Sequence, residues 1–269
     1  MGVKLITNEK IALTSSKGNQ EKWCDDNIWY KLDQFGYEAL AEAVTSEILE
    51  KSNIENDTPF KFVRYDIEKV NVHNADRIAC TSPNFLKQGE SIITLNKLLS
   101  SNIEVSLTEK LSRLSSDKKR IQYLVDATKE ITGLADFDKY LTLLFEIDSL
   151  IMNDDRHLNN IAVIEKNGKF DYCPIFDNGA ALLADTTMDY ALDGDVYELM
   201  GQVQAKTISS CFDEQLDVSE ENYGMNLKFT FSKKDVKELL DGAAIYTDEE
   251  KSRVEEIIYA QMRKYSYLW

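Results

Sequence analysis

The feature that most restricts this chain is the polar run Asn153-Asp154-Asp155-Arg156-His157-Leu158-Asn159-Asn160, followed further on by Phe176-Asp177-Asn178-Gly179. The run ends a strongly apolar helical stretch, residues 136–152, so the chain breaks off abruptly from its core into eight mostly polar positions. Two strand-like runs come next, 161–164 and 170–175. Asn167-Gly168 separates them, a residue pair that favours a two-residue hairpin turn. A loop, a hairpin and a second polar loop in this order can return to one cleft. Each loop alone is ordinary, since a polar run after a helix is usually surface and Asp-Asn-Gly is a common turn. The ordered combination is far rarer.

Phosphoryl transfer needs few parts: a carboxylate that orients and deprotonates the attacking hydroxyl, and oxygen ligands that hold magnesium against a triphosphate. Asp155 and Asn160 stand in the spacing D-x-x-x-x-N, and the hairpin carries the chain on to the carboxylate of Asp177. Upstream, the β-rich run 28–32 carries Lys31. From Tyr37 the pattern turns helical, with Leu40, Val44, Ile48 and Leu49 on one face and Glu38, Glu42 and Glu47 elsewhere. A strand lysine ahead of an acidic helix supplies a cation for phosphates and a glutamate to hold it.

The rest of the chain reads as an α+β protein. Strands are expected at 4–7 and 11–14, and the alternating run 60–66 is expected to pair with 77–81, giving a small N-terminal sheet with one helix. Helical spacing follows at 91–100, 107–114, 117–132 and 136–152, with Ser116 and Asp136 as N-caps. Two capped helices close the chain, 232–240 with Ser232 and Asp235, and 247–265 with Thr247 and Glu250. A lobe boundary falls near 82–90, which divides the chain into 1–85 and 86–269.

The acidic excess, 47 residues against 31 basic for a net charge of -16, repels phosphate backbones and anionic lipid surfaces. Direct nucleic-acid or membrane binding is therefore not expected. The four cysteines lie far apart with no CxxC pair, which fits a reducing cytoplasmic setting and neither a zinc site nor a disulfide framework.

The N-D-D-R-H-L-N-N run, the later F-D-N-G, the strand W-Y-K and the helix Y-E-A-L-A-E-A-V-T-S-E-I-L resemble the HipA-like serine/threonine kinases of bacteria. The likeness runs in order over most of 28–180. It implies a two-lobed protein-kinase-like fold, a small sheet lobe and a mainly helical lobe, ATP and magnesium as cofactors, and a protein serine or threonine as acceptor. By the same resemblance Asp155 is the catalytic base, Asn160 and Asp177 the magnesium ligands, and Lys31 the phosphate-binding lysine. Either Glu38 or Glu42 partners it. The polar stretch 14–22, with Ser16, Lys17 and Gly18, would lie over the phosphates, although it departs from a G-x-G-x-x-G loop. His157 would steer the phosphates or, more simply, hold the loop, and Arg156 would pair with a neighbouring carboxylate. A toxin role with a separate antitoxin chain follows from the family alone. Three rivals stand beside this reading: a lipid or small-molecule kinase, a nucleotide-binding pseudokinase scaffold, and a helical interaction protein whose polar loop is incidental.

Overall fold

The computed structural model describes the backbone of residues 4–6, and residues 20–101 and 105–269 in full. The strand expected at 11–14 and the stretch holding Ser16, Lys17 and Gly18 lie outside the described residues.

The N-terminal part builds a sheet from β1 (Lys4–Ile6), β2 (Lys22–Asp25), β3 (Ile28–Leu32), β4 (Asp66–Val72) and β5 (Ala75–Pro83) in the order β1-β4-β5-β3-β2. β1 runs parallel to β4, and the other neighbours are antiparallel. Asp26-Asn27 and His73-Asn74 close two hairpins with φ between +50° and +64°. Both central residues of such a tight turn must be left-handed to match the twist of the strands, and Asn and Asp tolerate that region best. One face of the sheet buries Trp23, Tyr30, Leu32, Val70, Val72 and Ala79, with the Trp23 and Tyr30 rings stacked at 5.2 Å. Alternation along β3 then turns Lys31 to the opposite face.

That face meets helix α1 (Glu38–Glu50), in which only Glu47 and Glu50 escape burial. A helix buried nearly all round lies between two layers. Leu40, Val44, Ile48 and Leu49 enter the main core, while Ala39 packs with Val63, Tyr65 and Cys80 under the sheet. Both ends of α1 are tied down. At its start, the Tyr37 hydroxyl donates to the Leu182 carbonyl at 2.7 Å and the Tyr37 amide to Ala184 O at 3.1 Å. A Cβ on Gly36 would lie 2.0 Å from that Ala184 oxygen, so this approach admits only glycine. Between its end and the short helix α2 (Ile54–Asp57), the chain is held by Thr230 N donating to Lys51 O at 2.7 Å and by Asn53 N donating to Lys228 O at 3.0 Å.

The run 60–66 is not the expected strand. Phe60 and Phe62 drop into the helical core and Val63 and Tyr65 under the sheet, while Ile175 N donates to Lys61 O at 2.7 Å and Val63 N to Ile175 O at 2.9 Å. The strand that pairs with β5 is β4, which starts only at Asp66.

A second correction falls at 91–100. The β-branched run Ser91–Thr94 forms β6, and helix α3 (Leu95–Ser100) begins only after Thr94, whose hydroxyl caps the Lys97 amide. Helices α4 (Leu107–Ser112), α5 (Asp117–Thr132) and α6 (Phe137–Ile151) follow. Ser116 caps α5 as expected, whereas Asp136 makes no cap bond to α6. All but two residues of α6 are buried, and at about 1.5–3 kcal/mol for each large apolar side chain this helix anchors the main core. β7 (Ala162–Lys166) and β8 (Lys169–Tyr172) form the expected hairpin about Asn167-Gly168 and join β6 in a three-stranded sheet. The chain ends in α7 (Val196–Met200), α8 (Phe212–Tyr223), α9 (Lys233–Gly242) and α10 (Asp248–Lys264), the last two with complete capping boxes. Around α1 the tail adds an aromatic cluster of Phe229, Phe231 and Trp269, with centroids 4.9–5.3 Å apart.

Candidate active site

Helix α6 stops at Met152, which turns left-handed at φ 54°. Asn153 folds back, its amide donating to Asp148 O at 3.0 Å and its side chain to Asp148 Oδ1 at 3.1 Å. The polar loop therefore leaves from a fixed point. Within it, Asn160 Nδ2 donates to the Asp155 carbonyl at 2.8 Å and to its Oδ2 at 3.0 Å. Asp155 and Asn160 are thus locked to each other.

The other half of the site is assembled across the lobes. Lys31 Nζ lies 2.6 Å from Glu42 Oε1 and 2.6 Å from Asp177 Oδ1, and 5.5 Å from the centroid of the Tyr65 ring. The second oxygen of Glu42 accepts from the Asn178 amide at 2.9 Å. Strand, helix and the loop after β8 meet on one ammonium group. Burial disfavours the Lys31 charge, but Asp177 and then Glu42 outweigh it and hold its pKa well above the usual lysine range. For Asp177, burial pushes upward and Lys31, Lys22 and Arg156 pull harder the other way, down to about 2. Asp177 takes a left-handed backbone at φ 64°, a conformation costly for most residues and frequent at functional sites.

The ambiguity between the two glutamates is resolved by what each faces. Glu38 does not reach Lys31. Its carboxylate accepts from the amides of Phe35 at 2.8 Å and Gly36 at 3.0 Å, closing the turn ahead of α1. Glu38 is thereby excluded as the partner of Lys31, because its carboxylate is taken up by the amides of the turn ahead of α1.

Arg156 joins the two halves, and sequence reasoning gave it too small a part. It is 1% exposed. Its Nε lies 3.1 Å from both Asp148 oxygens, Nη1 donates to Phe176 O at 2.8 Å and Asn160 O at 3.3 Å, and Nη2 donates to Asn178 Oδ1 at 2.5 Å. One side chain thus fixes the Asp155 loop against the residues on either side of Asp177. The only signal for this in the sequence was an acid, Asp148, inside an apolar helix. His157 stands at the rim with its Nε2 3.9 Å from Asp155 Oδ1. The loop is held not by the imidazole but by backbone, His157 N donating to Asp155 O at 2.9 Å and Asn160 N to His157 O at 2.8 Å.

Among the described residues no group of three or more His, Cys, Asp or Glu side chains forms a metal cage. The oxygen donors of Asn160 and Asp177 fit a hard cation that shares its remaining positions with phosphate and water, which is how magnesium usually binds. No helix among the described residues is long and apolar enough to cross a membrane.

A sheet lobe over a helical part, joined at a lysine, glutamate and aspartate, defines a kinase-like fold, and solved structures share it. The chain is similar to the Helicobacter pylori proinflammatory kinase CtkA, with a TM-score of 0.63 and 15% identity over 91% of this chain and 90% of that one. It is also similar to HipA of Shewanella oneidensis MR-1, determined with HipB and operator DNA, with a TM-score of 0.52 and 13% identity. That match covers 94% of this chain but 65% of the HipA chain. No protein-family model and no curated protein sequence matches. The fold is therefore the HipA-like kinase fold.

Proposed function

We propose that the protein is an ATP- and magnesium-dependent kinase that transfers the γ-phosphoryl group to a serine or threonine of another protein. The observation that carries this reading is Lys31 Nζ at 2.6 Å from both Glu42 and Asp177, drawn from three separate stretches of chain. In this reading Lys31 holds the phosphates and Glu42 holds Lys31. Asn160 and Asp177 hold magnesium, which supplies charge neutralisation on the triphosphate. Asp155 orients the acceptor hydroxyl and takes its proton as the oxygen bonds to phosphorus and ADP leaves. Residues 1–85 would form the nucleotide lobe and 86–269 the catalytic lobe. A cytoplasmic toxin with an antitoxin as a separate chain is the biological setting that the similarity to HipA suggests.

Labelled ATP, a lysate and peptide mapping test the activity. Asp155→Asn should keep nucleotide binding and lose transfer, while Asp177→Ala should lose magnesium-dependent nucleotide affinity. Normal phosphorylation by both variants would refute the assignment. An ATP-dependent thermal shift without turnover in the wild type would instead identify a pseudokinase.

A further inference from the structure

Beside the loop that carries Asp155 lies a cavity of about 430 Å³ that the proposed chemistry leaves unused. Among the described residues its lining includes Asn96, Ser112, Arg120, His157, Asn159 and Lys206, and no Asp or Glu. In a chain with 47 acidic residues against 31 basic ones, a cavity of this size with basic groups and no acid among its described lining residues is a selective arrangement. Its volume falls in the range of small-ligand sites, about 300–1,000 Å³.

The walls are built onto the catalytic loop itself. Asn96 at the start of α3 donates from its side chain to Asn159 Oδ1 at 3.0 Å and from its amide to Leu158 O at 2.9 Å. Opposite, the Thr207 hydroxyl donates to the Arg156 carbonyl, and Ala205 N donates to Ser210 O at 3.0 Å, which closes the short loop presenting Lys206. Arg120 is part of the wall: its guanidinium serves Asp117 Oδ1 at 2.6 Å and the carbonyls of Leu111 and Leu114 at 3.2 and 3.3 Å. Lys206, by contrast, is exposed. The acid that feels its charge is Asp154, whose carboxylate already accepts from the Tyr190 hydroxyl at 2.6 Å. His157 lines the cavity and stands 3.9 Å from Asp155 Oδ1, so one imidazole separates the two sites.

We propose that this cavity receives an anionic side chain of the protein substrate, a carboxylate or a phosphorylated residue close in sequence to the acceptor hydroxyl, with Lys206 as its ion partner. Asn96, Ser112 and Asn159 supply the polar surround. The proposal rests on the reading of Asp155 as the group that takes the acceptor proton, and it adds what that reading lacks, a class of substrate.

The test uses the full chain with magnesium ATP and serine/threonine peptide mixtures whose flanks are glutamate, phosphoserine, alanine or lysine. Wild-type transfer should favour anionic over lysine flanks by about two- to five-fold, the range for one exposed ion pair, and Lys206→Glu should reverse that order. Preference for phosphoserine over glutamate identifies a phosphorylated partner, and equal use identifies a carboxylate. A second arm measures calorimetric binding of a phosphoserine peptide lacking an acceptor hydroxyl, which Lys206→Glu should weaken several-fold. Transfer that ignores the flanks, or binding that ignores Lys206→Glu, overturns the cavity's role and leaves the kinase reading standing. Absence of both transfer and ATP-dependent stabilisation overturns that reading and the proposal with it.

Discussion

Arg156→Met keeps most of the length of the side chain and deletes the charge at the junction of the two loops. The variant leaves Asp148 buried without its cation and frees Phe176 O and Asn178 Oδ1. Removing one partner of a buried ion pair costs about 3–5 kcal/mol, a large share of the roughly 5–15 kcal/mol that holds a domain folded. At about 2–4 °C per kcal/mol for a chain somewhat smaller than this one, the melting temperature should drop by roughly 6–20 °C. The loss should also depend on pH. Burial pushes the Asp148 carboxyl up and Arg156 opposes it, so the variant's folded state binds its proton more tightly still. Above the unfolded pKa of about 3.9, the folded variant then holds more protons than the unfolded one, and its stability falls as pH rises. The deficit against wild type should therefore be smaller at pH 5 than at pH 8. Urea melts at both pH values, with Asp148→Asn and the double variant, complete the cycle. The two single losses should exceed the double by at least about 1 kcal/mol. Additive losses, or an Arg156→Met cost under about 1 kcal/mol, would refute the role of Arg156 as the joint.

Gly36→Ala should lower the thermal midpoint measurably, by the 1–3 kcal/mol or so typical of forced overpacking, because its Cβ would meet Ala184 O at 2.0 Å; an unchanged melt would contradict the close approach. Asp33, which accepts from Ala39 N and the Tyr246 hydroxyl, is pushed by burial to about 7. Its folded state keeps a proton that the unfolded state sheds, so wild-type stability relative to Asp33→Asn should fall as pH rises from about 4 to about 7, read from paired melts. Phe231→Ala should cost about 3–5 kcal/mol and speed amide exchange at Lys51 and Ser52, since Phe231 is 2% exposed in the cluster that backs the end of α1; unchanged exchange would separate the cluster from the helix.

Local rules were legible where one stretch decides its own shape. Ser116 caps α5, and the capping boxes at Ser232 and Thr247 formed as spaced. Asn167-Gly168 turned the hairpin. What failed was decided by distant partners. Residues 60–66 alternate like a strand, yet their apolar side chains serve two different cores. Ser91–Thr94 shares an apolar pattern with the helix after it, and pairing with β7 decides where one becomes the other. In the site, the Asp155–Asn160 spacing was readable because only four residues separate them. The choice of Glu42 over Glu38 depended on which helical turn faces β3, and the reach of Arg156 to Asn178 spans 22 positions. The basic cavity draws on residues from 96 to 208, so no window of sequence displays it.

Helix α1 is fastened at both of its ends, by Tyr37 to the segment after Asp177 and by Lys51 and Asn53 to the strand-like tail before α9. A rod pinned twice cannot swing outward without tearing several backbone contacts at once, so the fold itself holds Glu42 beside Lys31. In the kinase proposed above, restraint has to come from outside that lever: from what covers the phosphates, from what fills the acceptor side, or from another chain sitting across the opening.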